Sequence, residues 1–200
     1  MLRGRLPHPQ PLTSYRDLLR TRLASHQPLL DREGGDLIWA AVAVVVVPDP
    51  EAVLFIRRAE RVGDPWSGHM ALPGGRRDPR DSDLVVTAAR ETEEEVGLRL
   101  PRGALLGSLD DVVPRTPVLP PIAVRPFVFA LEERPALVLN PEVAAARWVP
   151  LDYLLRPETR HPVRVEIRNE SRVVPAYQLD DAIVWGLTER VVSALVRLLR

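Results

Sequence analysis

The 200-residue sequence predicts an α+β fold built around a mixed sheet, and three observations carry that expectation. The run IWAAVAVVVV at 38–47 is unbroken, apolar and rich in β-branched residues, so it reads as a strand buried on both faces. Two segments, 82–96 and 180–199, instead repeat their apolar residues with helical spacing. The remaining strand and helix signals lack the regular βαβ alternation of a doubly wound sheet. The length suits one compact unit with a small appendage: an N-terminal extension with a short helix at 1–30, then the main domain at 31–200.

Taken in order, residues 1–12 are proline-rich and read as irregular. A helix is predicted at 15–24, where Leu18, Leu19 and Leu23 share a side and Thr13 or Ser14 is placed to cap it. The strand at 39–47 closes at Pro48-Asp49-Pro50, and a second strand at 53–56 makes the pair a hairpin. A charged loop at 57–67 leads to a short strand at 70–72, then Pro73-Gly74-Gly75. Gly97 ends the 82–96 helix, because glycine accepts the left-handed backbone of a helix C-terminus. Further strands are expected at 104–108 and 124–130, separated by a loop containing Pro114, Pro117, Pro120 and Pro121. Another is expected at 147–149, and a pair at 163–167 and 172–174 turns at Asn169-Glu170. The helix at 180–199 ends the chain, with Trp185 in its core pattern.

Composition excludes several kinds of chemistry. Without cysteine there is no disulfide framework, thiolate nucleophile or zinc–thiolate site, and His8, His26, His69 and His161 are too scattered to form a ligand pair. The 27 basic and 27 acidic residues cancel and form no basic stripe, which argues against nucleic acid as a partner. The first residues lack the apolar run of a signal peptide, and 38–47 is too short to span a bilayer. The reading is a cytoplasmic protein without a membrane partner.

Charge is piled up in one place. On a 3.6-residue wheel, Val85, Ala88, Ala89, Thr92 and Val96 fall on the arc that must face the core. Glu91, Glu94 and Glu95 fall together on another arc, and Glu93 points elsewhere. Like charges at i, i+3 and i, i+4 cost a helix a few tenths of a kcal/mol per pair, roughly, and the helix C-terminus disfavours anions as well. A divalent cation would offset both, and hard oxygen ligands suit Mg²⁺, Ca²⁺ or Mn²⁺. The alternative is a solvated acidic face, which is what most glutamate runs are. The preceding Gly74-Gly75 lets the backbone approach a ligand, so the Gly75 carbonyl can join a metal shell. Arg76, Arg77 and Arg80 add the charge a phosphate needs, and Arg90 can hold a glutamate in orientation.

This arrangement resembles the signature of the Nudix hydrolases, G-x5-E-x7-R-E-U-x-E-E-x-G-U, where U is aliphatic. Arg90, Glu91, Glu94, Glu95, Gly97 and Leu98 stand at its fixed positions, and Thr92 stands where an aliphatic residue is usual. The first half is one residue longer, with Asp81 in place of the first glutamate. That variant is similar to the coenzyme A pyrophosphatase branch, P-G-G-x-x-D-x-x-D-x5-T-A-x-R-E. Pro73, Gly74, Gly75, Asp78, Asp81, Thr87, Ala88, Arg90 and Glu91 match it position for position. Stretches at 124–128, 140–143, 149–155 and 184–188 are similar to segments of the same branch in the same order. Upstream, where the branch has Leu-Arg-x-His-x-Gly, this chain has Gly63-Asp64-Pro65-Trp66-Ser67-Gly68, and only Gly68 agrees.

The resemblance implies an αβα sandwich, Mg²⁺ or Mn²⁺, and hydrolysis of a diphosphate bond in a small nucleotide-diphosphate substrate, coenzyme A-like by branch. It implies Glu91 and Glu95 as metal ligands, Glu94 as a ligand directly or through water, the Gly75 carbonyl as an extra ligand, and Arg90 as part of the catalytic set. Arg57, Arg58, Arg61, Arg76 and Arg77 are candidates for phosphate contact. Trp66 and His69 lie where a base or pantetheine could be gripped. The general base is open between the glutamates of the signature and a loop residue such as Glu142. ADP-ribose, dinucleotide polyphosphates and nucleoside di- or triphosphates stay open as substrates, and Pro114 is similar in position to a proline of ADP-ribose enzymes. A non-catalytic nucleotide-binding domain is the reading from a different class, and the intact Glu91, Glu94 and Glu95 argue against it. The 15–24 helix or a sheet edge is a candidate surface for a homodimer.

Overall fold

The computed structural model describes residues 14–33, 36–62, 66–114, 121–167 and 170–200. The irregular opening, Thr13 as a cap, Gly63 to Pro65, Pro117, Pro120 and Asn169 lie outside the described residues.

The apolar run forms β1 (Ile38–Val47), which turns into β2 (Ala52–Arg58) with Val46 opposite Val53. Its other neighbour, β6 (Ile122–Ala130), runs parallel to it, from Ile38 beside Ile122 to Val46 beside Ala130. With β3 (Met70–Ala71) beyond β2 and β5 (Leu105–Ser108) beyond β6, the order is β3-β2-β1-β6-β5. Two further strands make seven among the described residues: β4 (Gly74–Arg76) pairs with β1, and β7 (Val143–Pro150) pairs with β2. The sheet is therefore mixed.

Strand periodicity sorts β1 into two faces. Trp39, Ala41, Ala43 and Val45 pack with Leu84, Ala88 and Val96 of α2 (Leu84–Val96). Ala40, Val44 and Val46 join the opposite core, which takes Leu19 and Leu23 of α1 (Tyr15–Ser25), Leu151 and Leu154 of α3 (Leu151–Leu155), and Val192 and Leu195 of α4 (Gly186–Leu199). Helices thus cover both faces, giving the expected αβα sandwich. Among the described residues, no helix is long and apolar enough to cross a membrane.

α1 starts at Ser14, but its main cap comes from far along the chain. The Glu51 carboxylate, in the β1–β2 turn, accepts the backbone N–H groups of Tyr15 and Arg16 (2.8 and 2.9 Å) and the Ser14 hydroxyl (2.7 Å). The apolar face of α1, Leu19 and Leu23, is buried within this chain, so it is not a free surface for a second copy.

The structure corrects the C-terminal reading. A helix was expected from 180, yet Ile183–Trp185 forms a strand, β10, pairing with β9 (Glu170–Gln178) through Val184 and Tyr177. Gly186 at φ +69° breaks the two apart, and α4 begins there. Trp185 therefore leaves the helix pattern, and its ring meets His69 at 4.9 Å. β9 also pairs with β8 (Arg160–Ile167), making a separate sheet of order β10-β9-β8. β7 is longer than the expected 147–149, and α3 follows it.

Candidate active site

α2 is fixed at both ends. Asp83 caps it by accepting from the Val86 N–H (2.9 Å), and Gly97, at φ +69°, ends it by donating to the Glu93 carbonyl (2.9 Å). Its rotation is fixed by Leu84, Ala88 and Val96 against the sheet and by Thr87, one of two buried threonines. Thr92 donates to the Ala88 carbonyl (2.7 Å), and Thr87 to the Asp81 carboxylate (2.9 Å). That rotation grades the three glutamates instead of presenting them equally. Glu95 is buried, Glu91 is largely covered, and Glu94 is exposed.

β4 brings the double glycine against β1, with Gly75 opposite Ala41 and Gly74 opposite Val42. The two glycines are required for different reasons. Gly74 sits at φ +150°, and a Cβ there would strike the Ala41 carbonyl oxygen and the Val42 Cα. A Cβ on Gly75 would land on the Glu91 carboxyl group. This close approach places Glu91 directly on the glycine backbone, while the Gly74 N–H donates to Glu95 Oε2 (2.9 Å).

Burial pushes the Glu95 carboxyl up to about 7. The Glu91 and Glu142 carboxylates add to the rise, and the Gly74 amide and the Arg58 charge oppose it. Burial also raises Glu91, with Arg90 opposing and Glu94 and Asp81 adding. Two adjacent carboxylates whose burial outweighs the positive charge beside them form a donor set suited to a hard divalent cation.

Arg90 is the hub beside them. Its Nε and Nη2 grip both oxygens of buried Asp81 (3.0 and 3.0 Å), Nη1 reaches Glu91 (2.9 Å) and Glu94 (3.1 Å), and Nη2 also donates to the Arg76 carbonyl (3.2 Å). Arg90 in turn holds the Asp81 carboxyl below the usual range, helped by the Asp78 N–H and Thr87. Asp81 thus holds Arg90 in place while Arg90 touches both outer glutamates.

Residues 38–169, spanning this sheet, helix and loop, match the family model of the NUDIX domain. The chain belongs to the Nudix family. A Photorhabdus laumondii protein described as the uncharacterized Nudix hydrolase NudL is 31% identical over 79% of this chain and 83% of its own length. An uncharacterized Schizosaccharomyces pombe protein is 42% identical over 57% of this chain, which spans 36% of that protein's length. The crystal structure of a MutT/nudix family protein from Enterococcus faecalis superposes with a TM-score of 0.54 at 20% identity, over 86% of this chain and 63% of that one. The protein is accordingly a Nudix hydrolase, and hydrolases of this family generally use divalent metal ions.

The fit to such an ion can be judged from the Nudix helix itself. Glu91 and Glu95 would hold it beside Gly75. Glu94 is drawn outward onto Arg90, and among the described residues no three Asp, Glu or His side chains are already gathered around one point.

The candidate arginines separate. Arg57 and Arg58 are neighbours on β2, so they project to opposite faces. The Arg58 charge is felt at Glu95, and its backbone N–H donates to the His69 carbonyl (3.0 Å). Arg57 instead reaches Asp181, donating to its carbonyl (3.3 Å) and lying 3.5 Å from its carboxylate. Arg76 is exposed at the end of β4. Arg77 donates to Glu33 (2.8 Å) and to the Asp81 and Ser82 carbonyls (both 3.3 Å). Arg61 pairs with Glu142 (2.9 Å), the loop residue whose charge reaches Glu95. Sequence reasoning missed Glu33 and Asp181, which carry no local signal and become partners only through the fold.

Proposed function

We propose that this Nudix hydrolase cleaves the diphosphate linkage of nucleoside diphosphate derivatives, with a coenzyme A-like substrate favoured and Mg²⁺ or Mn²⁺ as cofactor. The observation that carries it is the pair of covered carboxylates, Glu91 and Glu95, packed on Gly74-Gly75, where burial outweighs the nearby Arg90 and Arg58 charges. Glu91, Glu95 and the Gly75 carbonyl would hold the metal, and Glu94 would join directly or through water. The bound ion supplies neutralisation of the diphosphate and a lowered pKa for water. Arg90 keeps Glu91 oriented while Asp81 keeps Arg90 in place. Arg58, on the Glu95 side of β2, and exposed Arg76 are the phosphate contacts we favour. Arg57, turned to Asp181, would act further out along the substrate. Proton removal from water falls to a carboxylate of the helix or to Glu142, whose charge acts on Glu95.

The coenzyme A preference rests on the spacing of Asp78 and Asp81 after Pro73-Gly74-Gly75. The upstream stretch, which keeps only Gly68 of the branch's motif, favours a second reading: a Nudix hydrolase for ADP-ribose, dinucleotide polyphosphates or nucleoside di- and triphosphates. A panel of these compounds and coenzyme A, assayed with Mg²⁺ and with Mn²⁺ and resolved by product mass, separates them. Release of phosphopantetheine from coenzyme A at the highest kcat/KM is expected. Preferred cleavage of another compound selects the second reading, and no turnover with either metal removes both.

A further inference from the structure

We infer that Glu33, Arg77 and Arg125 form a relay that fixes the loop at 77–82, and through it the orientation of Arg90; this rests on the catalytic reading of the Arg90 site. The fixed end is Arg125 on β6. Its Nε and Nη2 take both oxygens of Asp111 (2.9 and 2.9 Å), a carboxylate whose side chain is 1% exposed, and the Trp39 ring lies over the guanidinium at 5.2 Å. A bidentate pair this well covered has little freedom to move.

Residues 29–33 are laid across that anchor. Leu29 and Asp31 donate their N–H groups to Asp110 (2.9 Å) and Asp111 (2.8 Å), and the Asp31 carbonyl accepts from Arg125 (3.1 Å). Glu33 then bridges two arginines: one oxygen accepts from Arg125 Nη1 (2.7 Å), the other from Arg77 Nη1 (2.8 Å). Arg77 passes the constraint on. Its Nη2 donates to the Asp81 and Ser82 carbonyls, and its backbone N–H donates to the Trp39 carbonyl (2.8 Å). Asp81, held by its backbone in this way, presents both carboxylate oxygens to Arg90.

Both terminal nitrogens of Arg77 are thus engaged within the chain. A phosphate could recruit them only by displacing the Glu33 carboxylate and two carbonyls. Arg77 is therefore a positioning residue that acts through Asp81, and Glu33, more than forty residues upstream, belongs to the same device. Placement errors of an ångström at reacting groups can cost about a hundredfold in rate, so loosening such a loop is felt in kcat.

The test compares Glu33→Gln, Arg77→Gln and the double variant in two measurements. In metal-free protein, amide hydrogen exchange at 78–82 should quicken several-fold in each variant while α4 amides hold their protection. In steady-state assays on the best panel substrate, kcat should fall about tenfold in each with KM within twofold. The double variant should be no worse than Arg77→Gln, because the two residues act as one unit. Arg77→Gln raising KM while Glu33→Gln leaves both constants alone would overturn the relay and make Arg77 a phosphate contact. Unchanged exchange in both single variants would overturn it too. Full activity in Glu95→Gln would instead remove the catalytic reading, and the kinetic arm with it; exchange at 78–82 would then decide the relay by itself.

Discussion

Glu95 and Glu189 are equally hidden, each 4% exposed, on helices covering opposite faces of the same sheet. Glu189 on α4 meets a cation and a hydroxyl: Arg160 Nε (2.8 Å) and the Ser193 hydroxyl (2.7 Å) both donate to its Oε1. Glu95 on α2 receives one amide hydrogen bond, from Gly74, among the described residues, and faces Glu91 and Glu142 across the site. One buried carboxylate is part of the scaffold. The other has its pKa raised by burial, the pattern by which a candidate functional carboxylate is recognised.

The sharpest way to break this contrast is Glu95→Gln. Turnover should fall roughly 10³-fold, about 4 kcal/mol of barrier, while circular dichroism stays native and the metal-free protein melts higher. Unchanged turnover would take α2 out of the chemistry.

The next effect is in pH. The folded-state pKa of Glu95 lies above its unfolded value, so the folded protein keeps a proton that the unfolded chain releases. This contribution to stability is fully present below about 4.5 and is lost as pH climbs to about 7, by at most roughly 3 kcal/mol. Glu91 is raised and acts in the same direction. Asp81, with a lowered pKa, acts oppositely and only in acid, below the ordinary carboxylate range. Denaturant titrations of metal-free protein should show the decline, Glu95→Gln should flatten it, and Mg²⁺ should raise Tm more at pH 8 than at pH 5. A Mg²⁺ effect that is equal at both pH values would contradict the assignment.

Glu189→Ala should do the reverse of Glu95→Gln. It should cost about 2 kcal/mol of unfolding free energy, tempered by the half-exposed Arg160, and leave kcat alone. Smallest is Glu51→Gln, which weakens the remote cap of α1 and should lower stability by about 1 kcal/mol without touching turnover.

Local pattern was enough for the elements whose cause is local. The β-branched run announced β1, Pro48 to Pro50 the hairpin, and Gly97 the end of α2. β10 was hidden because Ile183 to Trp185 continue an apolar pattern that also suits a helix. Only pairing with β9 and the turn at Gly186 decide for a strand. β7 was under-read because Ala144, Ala145 and Ala146 are poor strand formers, yet β2 pairs with Ala145 and Ala146 and the register shifts past Ala144. At the site, Glu91 and Glu95 lie against Gly75 and Gly74, but the wheel treated Glu94 and Glu95 as equals. The packing of Leu84, Ala88 and Val96 on the sheet and the bond from Thr87 to Asp81 set the rotation that separates them. Arg57 and Arg58 were both candidates for phosphate contact, although strand alternation sends them apart. The Arg125–Glu33–Arg77 connections join residues brought together only by the tertiary fold.

The two glycines of β4 foretell a pattern in a deep mutational scan. At 74 any side chain meets main-chain atoms of β1, so every replacement should vanish from a screen for cellular abundance and from one for turnover alike. At 75 the obstacle is a glutamate that can swing aside, so alanine should survive the abundance screen and fail the turnover screen. Two adjacent identical letters would then separate into a folding constraint and a chemical one.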